Sequence, residues 1–327
     1  MPISSSSGRR RAPAGWIALA LLLAGCAAPT AAPETGPVPA GPPAAPTAQA
    51  AAAAAAAQGA QPAQGAQQGA PVRAARQQEQ RQAAQARRDL AAHQSLAVAQ
   101  RWGLAAAPLP APPAPAVKPA LVEQPGVKTR PGLPPVVYRV PTAARVVFLT
   151  VDDGAEKDPE FRRMAGELGV PLSAFLSDYL ARSDYGYFRA LRDQGAGIQN
   201  HTLTHPDLRR LDAAGQRREI CGQQDRLEAE FGVRPTLFRP PYGEYTDATL
   251  TVARECGITA LPLWNEEAFP DRMEWRYADQ KLHPGDIILT HFRGAGDWKG
   301  TMPEMLRRVL DTVTAQGFAL ARLEDYL

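Results

Sequence analysis

The chain has 327 residues, 45% of them hydrophobic, and a formal net charge of only +3. Such a length allows two ordinary domains. Such a small net charge gives no sign of the basic surface that a nucleic-acid-binding protein needs. We therefore do not expect nucleic acid as a partner.

The first 25 residues have the composition of an export signal. Three arginines at 9–11 precede a short apolar segment, 16–24, which is too short to span a bilayer stably. The segment ends in Leu-Ala-Gly-Cys at Cys26, so residues 1–25 resemble a bacterial lipoprotein signal peptide. An uncleaved anchor and an ordinary secretory signal are the alternatives. We expect the protein to be exported and held by a lipid on Cys26 to the outer face of the cytoplasmic membrane.

Residues 26–135 are predicted to be a low-complexity linker, because they are mostly Ala, Pro, Gln and Gly. Such a composition has little apolar surface to offset the entropy cost of ordering. Residues 73–102 differ, being rich in Ala, Gln and Arg without Pro or Gly. This stretch could form a solvated single helix or be disordered, and a coiled coil is not expected.

From residue 136 to residue 327 the chain alternates apolar strands with helical stretches. This alternation predicts an α/β domain with a parallel sheet, in the form of an incomplete (β/α) barrel. Helices should begin near Asp158, Ser183, Asp212, Asp247 and Met302. The predicted strands are 146–151, 172–176, 196–199, 236–239, 258–264, 287–290 and 319–323.

Polar residues follow the first and third of these strands. Asp152 and Asp153 end the first strand, and His201 and His205 come after the third. One carboxylate and two imidazoles with an open fourth position form a catalytic rather than a structural metal site. The turn carboxylate and the solvated histidine pair are the ordinary alternatives for each motif alone.

Two further motifs lie at strand ends. Arg239 and Tyr242 follow strand 236–239 in Arg-Pro-Pro-Tyr-Gly, and His291 follows strand 287–290 in Leu-Thr-His. All the motifs therefore lie at the C-terminal ends of predicted parallel strands, which is where barrel enzymes build their active sites.

These motifs, taken in chain order, resemble those of the polysaccharide deacetylases, the NodB-homology carbohydrate esterases. They read Thr-Val-Asp-Asp-Gly, His-Thr-x-x-His, Arg-Pro-Pro-Tyr-Gly and Leu-Thr-His. The resemblance covers roughly residues 140–327. It implies a distorted seven-stranded barrel and a divalent metal bound by Asp153, His201 and His205. Zinc suits these donor atoms, and cobalt, nickel, manganese and iron are alternative metals.

The resemblance also implies a role for each remaining site residue. Asp152 would act as general base on the metal-bound water, and Arg239 would hold this base in place. The backbone N–H of Tyr242 would bind the developing oxyanion. His291 would be the general acid that protonates the leaving amine.

The fourth motif of the family, Asp-x-x-Asp-Trp, is not evident. Residues 263–269 read Leu-Trp-Asn-Glu-Glu-Ala-Phe instead. Glu266, Glu267 or Asp271 could replace the aspartate that orients the histidine, or His291 could lack an acidic partner. A smaller departure is Ala155 in place of the usual proline.

Cys221 and Cys256 are the two cysteines besides Cys26. Outside the reducing cytoplasm they could form one disulfide, since their predicted helices follow the second and third motifs and would be neighbours around a barrel. Two separate buried thiols are the alternative.

The leading hypothesis is a metal-dependent deacetylase, active as a monomer, that removes N-acetyl groups from an envelope polysaccharide, with peptidoglycan as the expected polymer. An O-acetyl polysaccharide esterase is the second hypothesis, because the same hydrated metal can attack either acyl carbon. A weakly active sugar-binding protein is the third, and the altered fourth motif is its only support.

Overall fold

The computed structural model describes residues 65–327, with side chains from residue 73 onward. Nearly all of these belong to one compact unit, Gln68–Leu327. The predicted signal peptide, 1–25, and the lipidated Cys26 lie outside the described residues. In the described part, no helix combines the length and the apolar character needed to cross a membrane.

The domain consists of short strands and seven helices in alternation. The helices are α1 Gly65–Arg101, α2 Pro159–Glu167, α3 Asp178–Ala181, α4 Tyr185–Asp193, α5 Ala213–Phe231, α6 Asp247–Glu255 and α7 Met302–Ala315. The strands are β1 Val127–Lys128, β2 Val136–Val137, β3 Val146–Asp153, β4 Ser173–Leu176, β5 Gly197–Asn200, β6 Leu261–Pro262, β7 Glu266–Ala268, β8 Met273–Trp275, β9 Ile287–His291 and β10 Ala319–Leu320.

Local capping explains where the helices start and stop. The carboxylate of Asp158 accepts hydrogen bonds from the first turn of α2, and that of Asp212 accepts one from Gly215 in α5. Both satisfy backbone N–H groups that have no partner inside the helix. Gly232 ends α5 in the left-handed conformation that glycine adopts at least cost. The helix starts predicted near Asp158 and Asp212 are therefore confirmed.

The main sheet has the order β5-β4-β3-β9-β7-β8, and β10 pairs with β3 from outside this path. Strand β3 is buried along its whole length, which fits a central strand covered on both faces. Its parallel pairing with β9 sets Asp152 directly beside His291. The sheet therefore brings the ends of the first and last motif strands together.

The predicted α/β class is confirmed, but the described strands do not form a closed barrel. A separate three-stranded sheet contains β1, β2 and β6. The predicted strand 236–239 makes only single bridges, between Asn200 and Phe238 and between Leu237 and Ala260. Prolines at 235, 240 and 241 flank this segment, and because they donate no backbone hydrogen bond they keep it too short for a full ladder.

Part of the segment assigned to the linker packs on the domain. Helix α1 covers the predicted helix 73–102 and is exposed along most of its length, with Leu90 59% exposed, as a solvated single helix would be. Near its end, however, Ala99 is fully buried, and Leu104 and Val127 are buried further along. Single apolar residues in a proline-rich stretch thus join the core although the average composition predicts none.

A disulfide joins Cys221, in α5, to Cys256, the residue after α6, with a Cα–Cα distance of 5.0 Å. The two helices pack on each other and come after the second and third motifs. The disulfide alternative of the sequence analysis is therefore confirmed.

Candidate metal centre and active site

The three expected metal ligands converge at the C-terminal end of the sheet. Asp153 is the last residue of β3, and His201 follows β5 directly. The Oδ1 atom of Asp153 lies 3.4 Å from Nε2 of His205 and 3.7 Å from Nε2 of His201. One donor atom from each residue lies within 4.8 Å of the other two, which is close enough for one ion to bind all three.

The chemistry of these atoms fits a divalent cation. The Oδ1 atom of Asp153 is buried and accepts no hydrogen bond. The Nδ1 atom of His201 donates to the backbone carbonyl of Arg239 at 2.7 Å, so its Nε2 keeps a lone pair directed at Asp153. Burial lowers the pKa of His201 to about 4. The ring is therefore neutral at neutral pH, which is the form that binds metals.

The backbone around the site is strained. Asp153, Thr202, His205 and Tyr242 all have positive φ angles, between 58° and 77°. Side chains other than glycine rarely adopt this region, and such strain persists only where the surroundings enforce it. Among the non-glycine residues of the described part of the chain, only Gln280 has a positive φ away from the site.

Buried hydrogen bonds hold the histidine loop in this strained form. The side chain of Asn200 accepts from the backbone N–H of Thr202 at 2.9 Å and donates to Gln224 on α5. The hydroxyl of Thr202 in turn accepts from the backbone N–H of His205 at 3.0 Å. The loop between the two histidines is thus tied to the sheet and to α5.

Asp152 forms a buried ion pair with Arg239. Its Oδ1 lies 2.7 Å from Nη1 of the arginine, and both side chains are almost completely inaccessible. Arg239 also donates to Thr150 and to the carbonyl of Pro262, so the guanidinium has one fixed position. Burial raises the pKa of the Asp152 carboxyl, and Arg239 opposes that rise. Such a carboxylate accepts a proton more readily than an exposed one does.

Glu267 is the acid that faces His291. Its Oε1 lies 3.5 Å from Nδ1 of the histidine, and burial raises the pKa of Glu267 to about 7. The other two candidates lie elsewhere: Glu266 is buried and does not contact His291, while Asp271 is exposed and pairs with Arg272. Burial also lowers the pKa of His291.

Tyr242 lies at the open edge of the site. Its side chain is 64% exposed, and its ring contacts that of His205 edge-on at 4.8 Å between centroids. Within the described residues its backbone N–H makes no hydrogen bond. The turn is held by Trp264, which would lie only 3.0 Å from a Cβ added to Gly243.

Arg293 is a site residue that sequence reasoning missed. Its Nη2 lies 3.2 Å from Oδ2 of Asp153. It stands two positions after His291, outside any motif that marks a site, and only its closeness to the last motif could have pointed to it.

The sequence model of the polysaccharide deacetylases matches residues 139–261, a range that contains the three expected metal ligands, Asp152, Arg239 and Tyr242 but not Glu267, His291 or Arg293. The chain is 47% identical over 199 residues to an uncharacterized protein of Streptomyces coelicolor, covering 60% of this chain and 78% of that protein. It is 31% identical over 170 residues to a chitooligosaccharide deacetylase of Sinorhizobium fredii, covering 47% and 75% of the two chains.

Solved structures with the same fold include the Bc1960 peptidoglycan N-acetylglucosamine deacetylase. The match has a TM-score of 0.53 at 22% identity and covers 59% of this chain and 92% of that one. A family 4 carbohydrate esterase pseudoenzyme from Bacillus anthracis matches with a TM-score of 0.50 at 21% identity, over 58% and 68% of the chains. At these identities the likeness is one of fold.

Proposed function

Because this chain belongs to the polysaccharide deacetylase family of NodB-like carbohydrate esterases, we propose that it is a metal-dependent hydrolase of N-acetylated envelope polysaccharide. The polymer we propose is peptidoglycan, with N-acetylglucosamine-type sugars as the target. One observation carries the proposal: a buried proton acceptor, Asp152, and a proton donor with its own carboxylate, His291, both adjoin the metal-binding triad.

Asp153, His201 and His205 would hold the metal, for which we propose zinc, with cobalt, nickel or manganese as alternatives. A divalent ion in such a site supplies a nucleophile by lowering the pKa of a bound water and polarises the acetyl carbonyl. The unpartnered Oδ1 of Asp153 and the oriented ring of His201 support this assignment.

Asp152 takes the proton of the attacking water. Arg239 keeps the carboxylate in one orientation, with one of its oxygens free of the ion pair and 3.7 Å from Nε2 of His201. A rigid guanidinium fork suits this purpose better than a flexible ammonium group would. The burial of both groups keeps competing water away from the transfer.

The negative charge that develops on the acetyl oxygen is stabilised by the backbone N–H of Tyr242. His291 then gives a proton to the leaving amine. Glu267 faces Nδ1 of the ring, so the proton is given from Nε2. The lowered pKa of His291 supports this role, because a more acidic imidazolium gives up its proton more readily.

The pairing of His291 with Glu267 also favours N-acetyl over O-acetyl substrates. An amine must be protonated as it leaves, whereas the alkoxide of an activated ester needs this help less. The contact between Glu267 and His291 supplies the acidic partner that the sequence left in doubt. The presence of the His291–Glu267 contact and of all three proposed metal ligands is an argument against a protein that only binds sugar.

We further propose that the domain works outside the cytoplasm, anchored through Cys26. The Leu-Ala-Gly-Cys sequence after a basic and an apolar region supports this, and so does the disulfide, since disulfides persist in oxidising compartments.

Acetate release tests the proposed reaction. N-acetylated peptidoglycan and O-acetylated xylan are each incubated with the protein, with and without a chelator. Zinc is then added in excess of the chelator to reload the protein. We expect acetate from peptidoglycan, loss of release on chelation and recovery with zinc. Release from xylan alone, or release that no chelator affects, would contradict the proposal.

A further inference from the structure

Arg293 places a positive charge at the open side of the site, and the proposed reaction gives this charge no role. Its side chain is 44% exposed. Within the described residues its one ion pair is with Asp153, through Nη2 alone. The guanidinium therefore keeps donors free for another group, since a guanidinium carries five N–H donors.

The backbone that carries Arg293 is rigid. Phe292 before it is fully buried, with its ring 5.3 Å from that of Phe188 and 5.9 Å from that of Phe161. The N–H of Phe292 donates to the carbonyl of Asp152, and its own carbonyl accepts from the N–H of Glu156. A binding group on so fixed a base loses little freedom when a ligand arrives.

The charge of Arg293 lies directly beside a proposed metal ligand, with its Nη2 atom 3.2 Å from Oδ2 of Asp153. A cation beside a ligand carboxylate weakens the attraction of that carboxylate for a metal ion. Arg293 therefore does not help metal binding, and a neutral acetamide group does not require it.

Two other arginines near the site already have carboxylate partners. Arg209, near Tyr242, pairs with Asp207 and Glu244. Arg272, on the turn that leads into β8, pairs with Asp271 and Glu274. These cations are neutralised by the protein itself, whereas Arg293 shares its one partner with the metal site.

The rim of the site also offers aromatic surfaces for a sugar ring. Tyr179 is 42% exposed and Tyr242 is 64% exposed. The backbone N–H of Tyr179 donates to the carbonyl of Leu203, so this residue stands beside the loop between the two histidines. Exposed aromatic rings and a half-exposed guanidinium together suit a sugar that bears an acid group.

We propose that Arg293 binds a carboxylate carried by the substrate glycan, on the sugar that is deacetylated or on its neighbour. The protein would then prefer an anionic N-acetylated polymer to a neutral one. This inference rests on the proposed function and narrows its substrate. The carboxylate could be the lactyl group of peptide-free muramic acid or that of a uronic acid. In both cases it would pair with the guanidinium through charge-assisted hydrogen bonds.

The test compares two substrates that carry carboxylates with two that are uncharged, and one charged and one uncharged compound form a matched pair. They are a peptide-free oligosaccharide of alternating N-acetylglucosamine and N-acetylmuramic acid, the same compound with its carboxyls reduced to alcohols, a tetrasaccharide of N-acetylglucosamine and glucuronic acid, and chitotetraose. For the zinc-loaded full chain, Arg293→Gln should lower the ratio of kcat/KM on a carboxylate substrate to kcat/KM on the uncharged compounds about 10–100-fold, mainly through KM. The carboxylate substrate with the larger loss identifies the source.

Arg163→Gln is the matched control, since Arg163 on α2 is 55% exposed and pairs with Glu160. It should alter none of these values, and Arg293→Lys should recover part of the loss. Equal slowing of all substrates by Arg293→Gln would overturn the inference, since it would mean a role in the reaction itself. No slowing of any substrate would overturn it too.

Binding gives a readout that does not depend on turnover. In an Asp152→Asn background, calorimetry should show about tenfold tighter binding of the carboxylate oligosaccharide than of its reduced form, and Arg293→Gln should abolish the difference. Equal binding would overturn the inference. If the wild-type protein releases no acetate from any substrate, the proposed function fails, and this binding comparison still decides the role of Arg293.

Discussion

At the residue scale, the proposed release of an amine depends on the carboxylate beside His291. Glu267 contacts the ring at Nδ1, and its pKa of about 7 lets it share a proton with the histidine near neutral pH. A carboxylate in this position fixes the ring orientation and stabilises its protonated form. Glu267 acts through His291 and is in this sense a positioning residue.

Glu267→Gln should therefore slow the removal of an N-acetyl group about 10–100-fold, the range typical of a lost supporting partner. Hydrolysis of an activated acetate ester should suffer less, and the pH profile should lose the ionisation near neutrality. His291→Ala should show the same contrast more strongly. Steady-state rates on both substrates measure this, with Glu228→Gln on α5 as an exposed control. Equal losses on amide and ester would contradict the role.

The convergence of Asp153, His201 and His205, with Asp152 beside them, could be predicted from sequence because these residues stand in short motifs at strand ends. The partner of His291 could not be selected in this way. Glu266 and Glu267 are adjacent on β7 and therefore point to opposite faces. Only the pairing of β7 with β9 determines which of them faces the histidine. Arg293 could not be identified as a site residue from sequence, because it belongs to no motif and is held at the site by the packing of its neighbour Phe292.

At the scale of elements, capping residues made the helix starts predictable, while the strands depended on their neighbours. Asp158 and Asp212 act within a few residues of themselves, so their sequence context is sufficient. The predicted strand 236–239 needs partners from distant parts of the chain and forms only single bridges with them. The short hairpin β7–β8 was likewise not predicted.

This hairpin region contains a buried acid outside the proposed reaction. Glu266 is 1% exposed, neither of its oxygens has a hydrogen-bond partner, and it lies near the buried Asp286. Burial raises its pKa from the ordinary 4.5 to about 9. The folded protein thus retains a proton that the unfolded chain releases between these values, so this group makes stability fall as pH rises through that window.

Glu266→Gln should remove this fall, because glutamine resembles the protonated acid and does not titrate. We expect the difference in Tm between variant and wild type to grow in favour of the variant from about pH 6 to about pH 9. Thermal unfolding across this range measures it. The exposed Glu274→Gln should follow the wild type. A constant difference between Glu266→Gln and wild type would show that Glu266 is ionised in the folded protein.

At the scale of the whole molecule, composition placed the start of the globular domain at residue 136, but apolar residues before that point already pack on the domain. Among the described side chains, burial begins near Ala99, because isolated apolar residues pack on the domain from within an alanine- and proline-rich stretch. The alternation of strands and helices predicted an incomplete barrel, and the described strands form no closed barrel. Segment 236–239, which its flanking prolines keep short, makes only single bridges.

The anchoring hypothesis predicts that Cys26 is the first residue of the mature protein and carries a lipid. Mass spectrometry of the protein extracted from membranes should show an N-terminal mass that includes the lipid. A Cys26→Ser variant should leave the membrane fraction. An unmodified Cys26 within an uncleaved chain would refute this hypothesis without affecting the catalytic proposal.

The central claim is that Asp153 and the two histidines hold a metal while Asp152 performs the proton transfer. It is tested most directly by the acetate that Asp152→Asn releases from N-acetylated peptidoglycan, measured together with its bound metal. We predict metal content equal to wild type and a rate lower by about 10²–10⁴-fold. His205→Ala, as the comparison, should lose metal and activity together. Full activity of metal-replete Asp152→Asn, or loss of its metal, would contradict the account.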